Sequence, residues 1–196
     1  MRNTRTRVSL LVMGLLLMAV GANAATYALD ASHSSISFKV RHMMVSKVTG
    51  SFTGFTGSME FAEGETGTWT VETAIDMATV DTNDEKRDEH LRSPDFFNVD
   101  AFPEMTFKST GVKADGDDYV LTGDLTLMGV TKPVELALEF NGVIEDPWGN
   151  TRAGFSADGK IDRRDFGMSW NKSMDKGGIV VGNDVSISLE IEAIKQ

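Results

Sequence analysis

Eight stretches of this chain alternate apolar and polar residues with a period of two, and most are bounded by glycine or charged turns. The pattern is clearest over residues 36–42 and 185–193. The other stretches are 48–61, 69–77, 105–107, 119–127, 134–140 and 155–161. Because successive side chains of a strand point to opposite faces, each stretch presents one apolar and one polar face. Eight such strands predict an all-β fold, an antiparallel barrel or a sandwich with an apolar interior.

The interior of such a fold is the first candidate site, because a barrel of about eight strands is either filled by side chains or holds one small ligand. Aromatic and methionine side chains line cavities well, since they repack around flexible chains. The same residues would serve equally in a filled core, so parity alone leaves both interpretations open. The residues on predicted inward positions are Phe38, Val40, Phe52, Phe55, Met59, Ile75, Leu125, Leu136, Leu138, Phe140, Phe155 and Ile161.

The N-terminal segment has the pattern of an export signal. Arg2, Arg5 and Arg7 precede a short apolar run over residues 8–20, and Ala22-Asn23-Ala24 supplies a small-x-small cleavage pattern. We therefore expect residues 1–24 to be a signal peptide cleaved after Ala24, and residues 25–196 to be one barrel domain in a bacterial periplasm. No segment approaches the roughly 18 apolar residues of a spanning helix, so no integral membrane insertion is expected.

Charge and cysteine content exclude several classes of function. The full chain carries a formal net charge of −10, with 29 acidic and 19 basic residues, and loss of three signal arginines makes it −13. This charge disfavours nucleic acid and anionic membrane surfaces as primary partners. The chain has no cysteine, which rules out disulfides, thiol nucleophiles and thiolate metal sites.

One segment interrupts the strand pattern with a helical one. Thr82 to Glu85 resembles a capping box, and residues 86–91 continue to a stop at Ser93-Pro94. We expect a helix of two to three turns, followed by an apolar loop. This inserted helix would act as a plug or lid that turns Leu91, Phe96 and Phe97 toward one mouth of the barrel.

A second irregularity is a glycine-rich strand over residues 48–61. Phe52 lies on one parity, whereas Phe55, Met59 and Phe61 lie on the other. A bend or bulge at Gly54 would bring all four to the same side, as closure of a barrel requires. Two strands joined by a turn remain the alternative.

Several separated motifs make the chain similar to the YceI-like family. They occur in the order of that family and together cover nearly all of the chain after the signal. The motifs are residues 29–42, Val48-x-Gly50-x-Phe52, residues 87–97, residues 102–109, residues 123–131 and residues 161–167.

The resemblance implies a lipocalin-like antiparallel β-barrel of about eight strands with one short inserted helix. It also implies that the interior is a cavity that binds a polyisoprenoid, such as a quinone or polyprenyl chain. The family consists of binding proteins rather than enzymes, and it brings no catalytic residues or cofactor to this chain. An open edge strand would let two barrels pair as a homodimer, which the sequence leaves undecided.

The three histidines, His33, His42 and His90, are the polar residues best suited to a functional role. His42 shares its parity with inward residues, and His90 lies on the predicted helix. They would either tie helix to barrel or meet at the mouth and contact a ligand head group. A metal would need a third ligand such as His33 or Asp88, and the spacings typical of metal sites are absent, so no metal is expected.

Oppositely charged residues occur in two distant motifs: Arg87 and Asp88 in one, Asp162, Arg163 and Asp165 in the other. A pair between Arg87 and Asp162 or Asp165 would clamp the helix over the barrel end, because the planar guanidinium suits bidentate pairing with a carboxylate. Alternatively, Arg87 or Arg163 would bind a diphosphate head group. Arg163 shares its parity with inward Phe155 and Ile161, which keeps this alternative open.

Two other classes compete with a lipid-binding protein. A metal-dependent enzyme or metalloprotein would use the cluster of His33, His42, His90 and Asp88, although no serine-nucleophile or phosphate-loop motif is present. An outer-membrane barrel also fits the alternation. The charged helix and the polar outward residues, such as Lys39 and Glu190, argue against it.

Overall fold

The computed structural model describes residues 24–174 and 177–196 and contains eleven strands and one α-helix in that part of the chain. The predicted signal peptide falls outside it, except for Ala24. The helix is α1 (Glu85–Arg92). The strands are β1 (Ala25–Leu29), β2 (Ser35–His42), β3 (Ser46–Phe52), β4 (Phe55–Phe61), β5 (Thr70–Asp76), β6 (Val80–Asp81), β7 (Glu104–Asp115), β8 (Asp118–Leu127), β9 (Val130–Glu145), β10 (Thr151–Asp162) and β11 (Val181–Lys195).

The strands form one closed antiparallel barrel rather than a sandwich. β1 and β2 both pair with β11, β4 pairs with β1, and β3 pairs with β2. β1–β2, β3–β4 and β5–β6 are therefore three long strands, each interrupted near its middle. With β7 to β11 they make eight strands in up-and-down order, and β1–β11 pairing closes the sheet. The predicted barrel of about eight strands is confirmed.

The bend predicted at Gly54 is present between β3 and β4. Phe52, Phe55, Met59 and Phe61 are all buried, although the first lies on a different parity from the others. The Gly54 amide donates to Thr79 Oγ1, 2.9 Å away, and the Gly54 carbonyl accepts from Asp76, so the bends of adjacent strands are bonded to each other. The interruption thus turns the strand without leaving its backbone groups unpaired.

Helix α1 begins where a helix was expected, but with a different capping residue. Asp84, not Thr82, is the N-cap, and its carboxylate accepts from the Arg87 amide at 3.0 Å. Thr82 is instead buried and bonded to the Asp88 carboxylate. The capping-box interpretation of Thr82 was therefore wrong, because Thr82 is needed to hold the helix against β6.

The two ends of the barrel differ. At the upper end lie α1, the β2–β3 and β8–β9 hairpins and the β10–β11 connection; at the lower end lie the β7–β8 and β9–β10 hairpins. At the upper end β6 pairs with β3 only through Ser51 and Phe52, so most of β3 has β2 as its sole paired strand among the described residues. In the described part of the chain, no helix has the length and hydropathy that crossing a membrane would require.

Candidate functional site

The inner face of the barrel surrounds a cavity of about 220 Å³. A water molecule takes roughly 30 Å³ in the liquid, and an engineered apolar cavity of about 150 Å³ holds a benzene, so this space is much larger than a packing defect. In the part of the chain that the structure describes, its lining is apolar except for Ser37, Thr70, Thr73 and Arg163. Dry apolar space of this kind favours a hydrocarbon ligand.

Exposure along the inward face shows that the interior is not a filled core. Ile187, Leu189 and Ile191 on β11 all line the cavity, yet each is only half-buried. Phe38 and Val40 on β2 show the same combination. Inward side chains in a close-packed core would be nearly inaccessible. The partial exposure of these β2 and β11 side chains therefore indicates free space beside them. The tertiary structure thus decides the question that parity left open.

Most of the predicted interior residues line this cavity. The exceptions are His42, Phe55 and Phe140, which lie away from it. Those at the cavity wall are Phe38, Val40, Phe52, Met59, Ile75, Leu91, Phe97, Leu125, Leu136, Leu138, Phe155 and Ile161.

The sequence-based selection missed other lining residues that share these parities. Ile187, Leu189 and Ile191 stand in the clearest alternating stretch of the chain, and Met105 and Phe107 stand in another. The parity signal that found Phe38 and Leu136 was available for them as well. Met168 and Val181 are different, since the loop and the strand end that carry them show no such signal.

Aromatic side chains close the lower end of the cavity. The ring of Phe61 lies 4.9 Å from Trp69, 5.2 Å from Phe140 and 5.3 Å from Phe155, measured between centroids. Tyr119 packs on the other side of Trp69 at 4.8 Å. Phe140 therefore points inward as its parity predicted, but it belongs to this plug rather than to the cavity wall.

The helical segment covers the upper end, as expected for a lid. Leu91 of α1 and Phe96 and Phe97 of the following loop all line the cavity. The ring of Phe97 lies 5.8 Å from that of Phe52 on β3, a residue that β6 also pairs with. The segment thus packs against the barrel wall at β3 as well as lining the upper part of the cavity.

Arg163 is the one charged residue among the described residues at the cavity wall, and it is almost completely buried, with 3% of its surface exposed. Its Nε donates to the Gly182 carbonyl at 2.9 Å and its Nη1 to the Met168 carbonyl at 2.7 Å. Within the described residues it forms no ion pair, and burial lowers its pKa. Arg163 therefore brings a positive charge without a direct ion pair to the upper end of an apolar cavity, and the nearby charge of Asp162 offsets the effect of burial only in part.

Not every donor of Arg163 is used by the protein. Nη2 has no hydrogen bond to any described residue. Because Arg163 itself lines the cavity, Nη2 is the candidate donor for a ligand.

The predicted clamp between the helix and the β10 motif does not form. Arg87 donates from Nε and Nη2 to the hydroxyl and carbonyl of Thr82, each at 2.7 Å. Asp162 pairs with Arg164, two residues away, and this pairing lowers the Asp162 pKa to about 2. Asp165 is exposed, and among the described residues it forms no ion pair with Arg87. Local partners satisfy both motifs, so the prediction was wrong.

Asp88 holds the helix through Thr82. Its carboxylate accepts from both the amide and the hydroxyl of Thr82, and both residues are buried. Asp88 is therefore a structural group of α1, and among the described residues it belongs to no group of metal-ligating side chains.

The predicted histidine cluster does not form either. His90 lies 3.0 Å from Asp95 and packs edge-on against the rings of Phe96 and Trp170, with centroids 5.0 and 4.9 Å away. His42 ends β2 opposite Ser46 and Val181. The structural alternative fits His90, since its contacts join α1 to the β10–β11 connection.

His33 belongs to a separate charged group on the outer wall, beside Asp30 and Glu192. Arg152 pairs with Asp30 at 2.8 Å, with Asp146 at 2.7 Å and with Glu192. This trio of His33, Asp30 and Glu192 is the one grouping of metal-ligating type among the described residues, and Arg152 already occupies two of its carboxylates.

The pKa values of this group reflect the pairing. Hydrogen bonds from Ser32, Arg152 and His33 hold the pKa of Asp30 well below its ordinary value. Burial raises the pKa of Asp146, but hydrogen bonds from Arg152 and Asn150 outweigh that effect and leave it well below the ordinary value. Hydrogen bonds from Asp146, Asp30 and Glu192 raise the pKa of Arg152. Asp30, Asp146 and Arg152 are therefore ionised at neutral pH, and the ion pairs of Arg152 tie the end of β1 to β10 and β11.

Comparison with known proteins relates the whole chain to one group. The model of the YceI-like domain matches residues 27–193. A UPF0312 protein of Pectobacterium atrosepticum is 43% identical over 194 residues, covering 98% of each chain. The protein YceI of Escherichia coli is 40% identical, with the same coverage.

Solved structures show the same architecture. A YCEI protein of Campylobacter jejuni is 31% identical with a TM-score of 0.67, over 80% of this chain and 90% of that one. BcnA of Burkholderia cenocepacia has a TM-score of 0.73 at 22% identity, over 84% and 98%. A polyisoprenoid binding domain of Saccharophagus degradans has a TM-score of 0.66 at 18% identity, over 88% and 99%. With a barrel, a helical cover and a family match over nearly its full length, the chain belongs to the YceI-like family.

Proposed function

We propose that this protein binds a long isoprenoid lipid, such as a quinone or polyprenyl chain, with the hydrocarbon inside the barrel. The observation that carries the proposal is the apolar cavity, closed below by aromatic rings and bounded above by Arg163, which is the one charged residue of its described lining. That polarity matches an amphiphile with a hydrocarbon tail and one polar end. The Saccharophagus relative of this fold, described as polyisoprenoid binding, supports the ligand class.

Hydrocarbon burial supplies the affinity in this proposal. Each methylene-sized unit removed from water contributes about 0.8 kcal/mol, so even a partly enclosed chain binds without strong polar contacts. Half-buried residues such as Ile187 and Leu189 are the surfaces that would gain contact with the chain. Met59 and Met168 adapt easily to a flexible ligand.

Arg163 is the proposed contact for the polar end of the lipid. Its Nη2 would donate to a quinone carbonyl, a hydroxyl or a phosphate oxygen, and a charge-assisted bond of this type is strong in a low-dielectric setting. Arg87, Asp88, His90 and Asp162 are engaged by neighbouring protein groups, which leaves Arg163 as the main head-group candidate.

The proposed role is carriage or sequestration in the periplasm, not catalysis. The basic, apolar and small-residue pattern of residues 1–24 supports export. Within the described chain, the cavity wall brings no second titratable group to Arg163, so it provides no acid and base pair for proton transfer. A metal-dependent enzyme is not favoured, because the histidines lie apart from one another.

Native mass spectrometry of the protein purified from periplasm, with organic extraction of whatever is released, tests the proposal. We expect close to one isoprenoid per barrel. An Ile187→Trp variant would fill the cavity and should lose the lipid while remaining folded. Ser186→Trp adds the same ring on the exposed outer face and should retain it. A folded wild-type protein that is empty and ignores added quinones and polyprenols would contradict the proposal.

A further inference from the structure

The β2–β3 hairpin at the upper end exposes three consecutive apolar residues. Met43 is 45% exposed, Met44 53% and Val45 84%. The remaining exposed large apolar residues of the described chain, Ile144 and Trp148, lie in and beside the β9–β10 hairpin at the opposite end. Exposing apolar side chains to water is unfavourable, and a group of them at a loop tip marks a contact surface.

The backbone of this tip carries a further cost. Met43 has a φ of 49° and Met44 a φ of 64°, and the Val45 amide donates to the His42 carbonyl at 3.2 Å. These are the φ signs of a type I′ turn, in which Asn-Gly is the preferred central pair because side chains with a full Cβ are strained there. Methionine is therefore unfavourable at both positions, because the backbone is strained there and because the apolar side chain is exposed to water.

The strands below the tip add positive charge. Arg41 and Lys47 lie directly opposite each other across β2 and β3, and Lys39 follows on the same outer face; all three are exposed. Within residues 24–174 and 177–196 none of them forms an ion pair. Like charges placed opposite each other weaken a strand pair. These three residues also form a local basic patch on a chain whose formal net charge is −10.

This hairpin adjoins the upper end of the cavity. The Met43 amide donates to the Val180 carbonyl at 2.8 Å, and Val181 and Val40 on the strands beneath it both line the cavity. The strained turn, the exposed apolar tip and the basic flank thus coincide where a lipid would enter or leave. An apolar tip backed by cations is complementary to a bilayer with anionic head groups.

We propose that the β2–β3 hairpin docks the barrel on anionic membranes, inserting Met43, Met44 and Val45 while Lys39, Arg41 and Lys47 contact lipid phosphates. The overall negative charge does not prevent this, because interactions between exposed charges more than about 8 Å apart are largely screened at physiological salt. This inference rests on the proposed lipid-binding function for its purpose, but its evidence is the hairpin itself.

Co-flotation with vesicles of phosphatidylethanolamine and phosphatidylglycerol, free of isoprenoid lipid, tests docking without cargo. We expect the processed protein to bind them and to be released by high salt. Met43→Asn with Met44→Gly should lower vesicle binding by about tenfold or more, given the apolar area withdrawn. The same double variant should be at least as stable as wild type, since it relieves the strained turn, so misfolding would not explain the loss.

Matched controls make the outcome unambiguous. Ile144→Ser with Trp148→Ser removes the exposed apolar residues of the opposite end and should leave vesicle binding unchanged. Arg41→Gln with Lys47→Gln should weaken binding to anionic vesicles only. Docking is overturned if wild type does not float, which would leave the tip to a protein partner, or if the hairpin variant floats as wild type does, which would place the membrane contact on another surface. Isoprenoid retention, measured separately by mass spectrometry, reports on the proposed function independently.

Discussion

Phe38 lies directly opposite Gly50 across the β2–β3 pair, and its ring occupies the space that a side chain at Gly50 would need. A Cβ there would stand 2.4 Å from Phe38 Cζ and 2.8 Å from Thr82 Cγ2. Gly50 thus lets one cavity-lining ring and the start of the helical cover pack against the same strand. The Val48-x-Gly50-x-Phe52 motif requires glycine at this position because a side chain would collide with its neighbours. Backbone conformation is not the reason, since Gly50 is not among the residues with a positive φ.

Replacing Gly50 with alanine should therefore reduce both stability and lipid binding. The added methyl forces the Phe38 ring or Thr82 to shift, and such overpacking costs about 1–3 kcal/mol. Urea unfolding measures the stability, and isoprenoid retention measures the cavity. Gly111→Ala is the control, because its Cβ would meet Thr122 at an ordinary 3.5 Å. Equal behaviour of the two variants would show that the Phe38 contact is unimportant.

Removing the Asp88 carboxylate should loosen the helical cover. Asp88→Ala leaves the Thr82 amide without its buried acceptor, which costs about 1–3 kcal/mol. We expect faster amide hydrogen exchange in α1 than in the barrel strands, and quicker exchange of bound lipid. Glu89→Ala changes the adjacent, exposed carboxylate and should show neither effect. Uniform acceleration of exchange throughout the barrel would instead mean that Asp88 stabilises the whole fold.

Substituting Arg163 tests the head-group assignment. Arg163→Met keeps an unbranched apolar side chain, about as long as the aliphatic part of arginine, but removes the charge from the cavity wall. We expect polyprenyl phosphate to bind more weakly, by about tenfold or more for a lost charge-assisted bond, while polyprenol without the phosphate changes less. Titration with both lipids measures the difference. A parallel loss for both would indicate that Arg163 acts by holding the Met168 and Gly182 carbonyls.

Because of the Arg152 cluster, the stability of the fold should depend on pH in the acidic range. The pKa of Asp30 is depressed in the folded protein, so its ionisation contributes stability above the unfolded pKa of about 3.9. That contribution is lost as pH falls through the folded pKa. Arg152→Met should lower the melting temperature at pH 7 and flatten its decline below about pH 4. A variant that kept the wild-type acid profile would show that Arg152 is not responsible for the shift.

Local periodicity was sufficient to predict which side of a strand faces inward. Phe38, Leu136 and Ile161 could be assigned in this way because alternation is a property of the extended backbone itself. The Gly54 bend was also predictable, since Phe52 and Phe55 had to reach one interior. The position of a residue along the barrel axis could not be predicted in this way. Phe140 lies opposite Phe155 in the aromatic plug, and only the register between β9 and β10 determines that.

The sequence by itself thus determined the strand count, the inward faces, the helical insertion and the family. Only the tertiary structure decided that the interior keeps open space, that Arg163 is buried at its wall, and which charged groups meet. Arg87 bonds to Thr82, and Asp162 bonds to Arg164. Both partners are a few residues away in sequence, so the bonds form at little entropic cost. Contacts between distant segments depend instead on register and closure, which no short stretch of sequence encodes.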